Sequence, residues 1–110
     1  MITPLPDRVQ ADLLVARKAR DTATVTALRT LLAAFSNAEA PPAPPTSSLE
    51  PKVIGLAEHE RIPLTDDDHR RILEEQVGLR AEAAAEYDAI GQTEAAATVR
   101  AEQAVLERYR

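Results

Sequence analysis

No cysteine occurs among the 110 residues. Disulfide staples, a thiolate nucleophile and a cysteine-ligated zinc site are thereby excluded, and the composition suits a reducing compartment. Aromatic residues are scarce: Phe35, Tyr87 and Tyr109 are all there are. Only three glycines are present, Gly55, Gly78 and Gly91, and no glycine-rich loop that would cradle a phosphate can be assembled from them. Nowhere do 18 apolar residues run without interruption, and the first residues show no basic segment leading into an apolar one. Neither a membrane span nor an export signal is expected, and the expected location is the cytoplasm.

What the chain has in quantity is alanine, at 21 positions, within a hydrophobic content of 45%. Alanine, leucine, glutamate and arginine favour helix, while the β-branched and aromatic residues that favour strands are sparse. The expected fold is all-α, with a lean core, and the length bounds it to one small domain spanning residues 1–110. Net charge is −5, which disfavours strong nonspecific binding to nucleic acid. The charge is uneven, however. Residues 1–38 carry five basic groups (Arg8, Arg17, Lys18, Arg20, Arg29) against three acidic ones, and the remainder carries eight against fifteen. The first segment is therefore the better candidate to meet an anionic partner.

Periodicity predicts four helices. The first, about 6–19, begins at Pro6 and Asp7, with Val9, Leu13 and Ala16 on its apolar face and Leu14 widening it. A tight junction at Arg20-Asp21-Thr22, with Asp21 or Thr22 as cap, leads to a second helix over 22–39 that presents Val25, Leu28, Leu31, Leu32 and Phe35. Five prolines between Ala40 and Pro51 then forbid helix, and a proline-rich connection extends over 41–63. It reads as a semi-rigid spacer, or as a ligand for a proline-binding module, with Val53, Ile54 and Leu56 packing locally onto the core.

Thr65 caps a third helix over 66–90, with Asp68 completing a capping box. Asp66 with Arg70 and Asp67 with Arg71 are expected to pair at i,i+4, and Ile72, Val77, Ala83 or Ala84, Tyr87 and Ile90 to trace the buried face. Gly78 costs about 1 kcal/mol relative to alanine inside a helix and either serves close packing or is tolerated. Gly91 ends the helix in the left-handed conformation. Thr93 is expected to cap a fourth helix over 94–109, with Ala96, Val99, Val105, Leu106 and Tyr109 on its apolar stripe. The expected architecture is two antiparallel helical hairpins forming a small four-helix domain.

Few residues invite chemistry. Asp66, Asp67, Asp68 and His69 contain metal-ligand types, but side chains at a helix start fan outward and capping already accounts for them. His59 and His69 match no familiar ligand spacing, and both are expected to be exposed. No nucleophile elbow and no helical His-Glu-x-x-His is present, and Glu82, Glu86, Glu102 and Glu107 read as a solvated face. No catalytic residue, metal or cofactor is expected. Arg17, Lys18 and Arg20 cluster at the end of the first helix, with Arg29 close by if the hairpin pairs as expected. They are candidates for phosphate contact, or simply complement the negative end of the helix dipole.

Read in order, Arg20-Asp21-Thr22 before Val25-Thr-Ala-Leu-Arg29-Thr-Leu-Leu-Ala-Ala-Phe-Ser-Asn37-Ala-Glu39, then Leu64-Thr-Asp-Asp-Asp68, then Arg80 ahead of Tyr87-Asp-Ala-Ile-Gly91, and Glu102 ahead of Leu106-Glu-Arg-Tyr109, resemble the YqeY family. These are small bacterial proteins similar to the tail of the GatB subunit of the tRNA-dependent amidotransferase, and the alanine-rich, proline-interrupted form is similar to actinobacterial members. The resemblance implies an all-helical accessory domain, associated with a glutamine-dependent carbon–nitrogen ligase but lacking its catalytic machinery. It implies tRNA or amidotransferase subunits as partners, with Arg80 joining Arg17, Lys18, Arg20 and Arg29 as candidate binding residues.

Arg29, Asn37, Arg80, Tyr87, Gly91, Glu102 and Tyr109 fall on recurring family positions. Gln76 stands where glutamate is frequent, and Gly78 where lysine is, so one basic position is lost. Family members usually continue past the equivalent of Tyr109 with Leu-Pro and a second helical subdomain. Against that pattern the chain corresponds to the first subdomain, from which its function is then expected to come. The alternative is a protein-interaction module without nucleic-acid binding, self-association being one form of it.

Overall fold

Each helix starts and stops where the local chemistry of its ends requires. In the computed structural model, which describes residues 3–40 and 62–110, four α-helices follow one another: α1 Leu5–Ala19, α2 Thr22–Glu39, α3 Asp66–Ala89 and α4 Thr93–Glu107. The fold is all-α, as expected, and no strand occurs among the described residues.

The N-terminus of α1 has no side-chain cap, but proline occupies its first turn, where a missing N–H costs nothing. Asp21 caps α2 by accepting from the Thr24 N–H at 3.2 Å and from Thr24 Oγ1 at 2.7 Å. Thr65 and Asp68 form the reciprocal capping box of α3, with bonds of 3.1 and 2.9 Å. The expected cap of α4 is different: Thr93 is its first helical residue, Gln92 holds the cap position, and no side chain bonds there. Gly91 has φ +79°, the left-handed turn expected after α3.

Helix α2 is the centre. It packs along α1 in one hairpin and along α4, with a smaller contact to α3; α3 and α4 form the other hairpin, and α1 barely touches α3. Its buried residues, Ala27, Leu28, Leu31 and Phe35, meet Val9 of α1, Ile72, Leu73 and Val77 of α3, and Val105 and Leu106 of α4. Leu5, Leu13, Leu32, Leu64 and Tyr109 close over this cluster half-buried. Ala27 and Ala96 are wholly inaccessible, and so small a side chain lets helix axes approach where a leucine would hold them apart.

Several expectations need correction. Tyr87 and Ile90, assigned to the buried face of α3, are 37% and 70% exposed, and Leu14 is 53% exposed. They lie on apolar stripes that no neighbouring helix covers. His69, expected outside, is buried, its ring edge-on to Phe35 with centroids 4.8 Å apart. The first turn of α3 pairs at i,i+3, Asp68 with Arg71 at 3.1 Å and Asp67 with Arg70 at 3.9 Å, because Asp68 is already drawn back into the capping box. A Cβ at Gly78 would meet nothing within 4 Å, so that glycine serves no close packing.

The expected packing of Val53, Ile54 and Leu56, and most of the proline-rich connection, lie outside the described residues. The chain does re-enter beside the point where it leaves: the Ile62 N–H donates to the Glu39 carbonyl at 2.8 Å.

Candidate functional site

Arg17 and Lys18 occupy the last turn of α1, where positive charge offsets the negative end of the helix dipole. Arg20 follows in the left-handed region with φ 58°, its N–H directed at the carbonyls of Ala16 and Arg17, while the Asp21 N–H reaches back to the Ala16 carbonyl at 3.0 Å. This closes α1 in the manner of a Schellman motif, in a position that glycine usually fills. An arginine there carries roughly 1 kcal/mol of backbone strain. All three cations are exposed, and none forms an ion pair among the described residues.

The Asp21 carboxyl is held below its usual range first by the hydroxyl and N–H of Thr24, against a small opposing effect of desolvation, and last by the nearby charge of Arg108. Arg108 itself stands just past α4, next to Tyr109, on whose phenol its charge also acts. It too is exposed.

The other two predicted binding residues lie apart. Arg29 is exposed and free of ion pairs among the described residues, but it sits two helical turns, about 10 Å, along α2 from the turn. Arg80 is buried between α3 and α4. Its guanidinium donates to Glu102 Oε1 at 3.2 Å and to Gln76 Oε1 at 3.0 Å. The side chains of Arg80 and Glu102 are only 11% and 15% exposed. Arg80 is thus engaged inside the fold rather than offered at its surface, and Glu102 leaves the solvated face to which its alanine-rich helix assigned it.

At the opposite end of α1, Arg8 stacks over the Tyr109 ring at 5.4 Å, and the Tyr109 hydroxyl donates to Asp12. Burial, and then that carboxylate, push the phenol well above its ordinary range. A cavity of about 220 Å³ opens here between Thr3, Arg8, Asp66, Arg70 and Tyr109. A larger groove, about 470 Å³, runs between Thr22, Ala23 and Thr26 of α2 and Ala97, Thr98 and Ala101 of α4. Its walls are small and mostly apolar, with Glu102 the single ionisable group. Among the described residues no set of three or more His, Asp or Glu is placed to hold a metal ion, and no helix is long and apolar enough to cross a membrane.

The cationic turn, the Thr65 and Asp68 box, the Arg80 to Glu102 pair and the Gly91 turn occur in the order in which the family signature was read. No curated protein and no solved structure matches the chain. The family model described as Yqey-like protein matches residues 6–110, so the chain belongs to the YqeY family.

Proposed function

We propose that this chain is a non-catalytic accessory domain, like the tail of the amidotransferase B subunit that its sequence resembles, and that it contacts tRNA through the α1–α2 turn. The observation that carries this reading is the free cationic turn itself. Arg17, Lys18 and Arg20 are exposed and without ion-pair partners among the described residues of a chain whose net charge is −5. Arg20, moreover, holds a left-handed position where glycine would be less strained. Positive charge concentrated at an exposed turn can seat on a phosphate backbone through counterion release.

The test is tRNA affinity across a salt series. Engagement of three phosphates gives a log–log slope of roughly −3, and reversal of charge at Arg17, Lys18 and Arg20 together should remove most of the binding. Failure to bind at low salt, or binding indifferent to those reversals, would rule out direct RNA contact.

A second reading, a protein-interaction module without nucleic acid, draws support from a different place. Leu79, Tyr87 and Ile90 are large apolar side chains left exposed on α3, and uncovered apolar stripes mark interaction surfaces.

A further inference from the structure

One outward helix face carries an uncovered apolar stripe and another an exposed apolar pair, and the charges beside them have opposite sign. On α3, Leu79, Tyr87 and Ile90 are 57%, 37% and 70% exposed, with half-buried Ala83 between them. Successive steps of four, four and three place them along one side of the helix. Glu82 and Glu86 flank that side, exposed and in no ion pair among the described residues. On α1, Leu14 and Val15 are 53% and 66% exposed. The free cations Arg17 and Lys18 lie one turn further on.

We propose that these faces cover one another between two copies of this chain: the Leu14 and Val15 face of α1 in one copy docks on the Leu79, Tyr87 and Ile90 face of α3 in its partner, and the contact is repeated by two-fold symmetry. Charge complementarity selects a second copy as the occupant. Lys18 and its neighbour are placed to meet Glu82 and Glu86, whereas like faces set against each other would put acid on acid or base on base. A stable interface commonly covers about 800 Å² on each partner. A few side chains on one face fall short of that, and reciprocal use of both faces doubles what they cover. The dimer does not depend on the tRNA reading, although it draws on Arg17 and Lys18.

Light scattering of the RNA-free protein over about three decades of concentration tests it, so that failure here leaves the tRNA measurement untouched. The mass should double as concentration rises. The midpoint should move up about tenfold in Leu79→Ser or Ile90→Ser, both exposed positions, with the helical circular-dichroism signal retained. The double variants R17E/K18E and E82K/E86K should each remain monomeric alone. Mixed together they should regain the dimer, because both contacts then pair opposite charges. A constant monomer mass, growth beyond the dimer, double variants that dimerise unaided, or a mixture that stays monomeric would each overturn the proposal.

Discussion

The two ends of the bundle are built on different principles. Where the second half of α2 meets the start of α3 and the end of α4, large side chains interlock: Leu31, Phe35, Ile72, Leu73, Val105 and Leu106, closed over by Tyr109. At the other end, where both hairpins turn, the buried positions are small, Ala16, Thr24, Ala84 and Ala96, and Leu79, Tyr87 and Ile90 stay exposed. The cations cluster at this second end as well. Stability is therefore concentrated at one end, which leaves the other free to carry charge, backbone strain and apolar surface that folding does not require.

The largest expected effect tests that division directly. Leu31→Ala or Leu106→Ala removes a wholly buried side chain and should cost about 3 kcal/mol, transfer and cavity terms together. Leu79→Ala or Ile90→Ala should cost no more than about 0.5 kcal/mol. Urea unfolding followed by helical signal at low protein concentration makes the comparison. A loss at Ile90 as large as that at Leu31 would show that the two ends share the load.

Between the two ends, Arg80 and Glu102 join α3 to α4, and the next largest effect belongs to them. Glu102→Ala leaves the guanidinium with Gln76 as its remaining side-chain partner in a largely dry setting, at a cost of about 2 kcal/mol. Glu102→Gln retains an acceptor and should lose less. If both variants unfold like the parent, the pair positions the helices without stabilising them.

Much of this division was legible in the sequence, but unevenly. Helix bounds were, to within a residue or two, because apolar period, proline and caps are local signals; the Thr65 to Asp68 box and the Gly91 turn are where those signals place them, whereas α4 begins at Thr93 without a side-chain cap and ends at Glu107, two residues short of the expected bound. The extent of covering was not. Tyr87 lies on the same side of α3 as His69, and periodicity assigns both to one face without saying that Phe35 covers only the nearer one. His69 was misjudged on polarity and Ile90 on hydrophobicity, for the same reason: a face is written in one helix, whereas its cover belongs to another. In the candidate site, Arg17, Lys18 and Arg20 were readable because they are neighbours in sequence. The burial of Arg80 was hidden by its dependence on Glu102.

Smaller changes separate local backbone chemistry from packing. Gly91→Ala forces a side chain into φ +79° and should destabilise by about 1 kcal/mol. Gly78→Ala enters open space inside a helix and should stabilise by a similar amount, about 1 kcal/mol. The caps divide in the same way. Thr65→Ala removes the acceptor of the Asp68 N–H and should cost about 1 kcal/mol. Thr93→Ala removes no cap bond and should be close to neutral. Thermal melts of the four variants give these signs, and equal losses at Thr65 and Thr93 would mean that the cap of α3 contributes nothing beyond intrinsic propensity.

The smallest expected effect is the dependence on pH, and the groups responsible again lie at both ends. Asp68 at the start of α3 is held below its ordinary value of 3.8 by the Thr65 N–H first and then by Arg71, and Asp21 at the α1–α2 turn by Thr24. Each binds a proton less readily folded than unfolded. Their contribution is therefore full above about pH 4 and is lost as pH falls through the lowered values. Tyr109 behaves oppositely. Burial and Asp12 raise its phenol above 10.0, so its contribution is intact below about pH 10 and fades above that as the unfolded chain ionises first. Asp68→Asn should flatten the acid limb of stability against pH and leave the alkaline limb alone, while Tyr109→Phe should do the reverse. An acid limb unchanged in both Asp68→Asn and Asp21→Asn would mean that other carboxylates set it, and that capping chemistry does not couple either end of the bundle to protons.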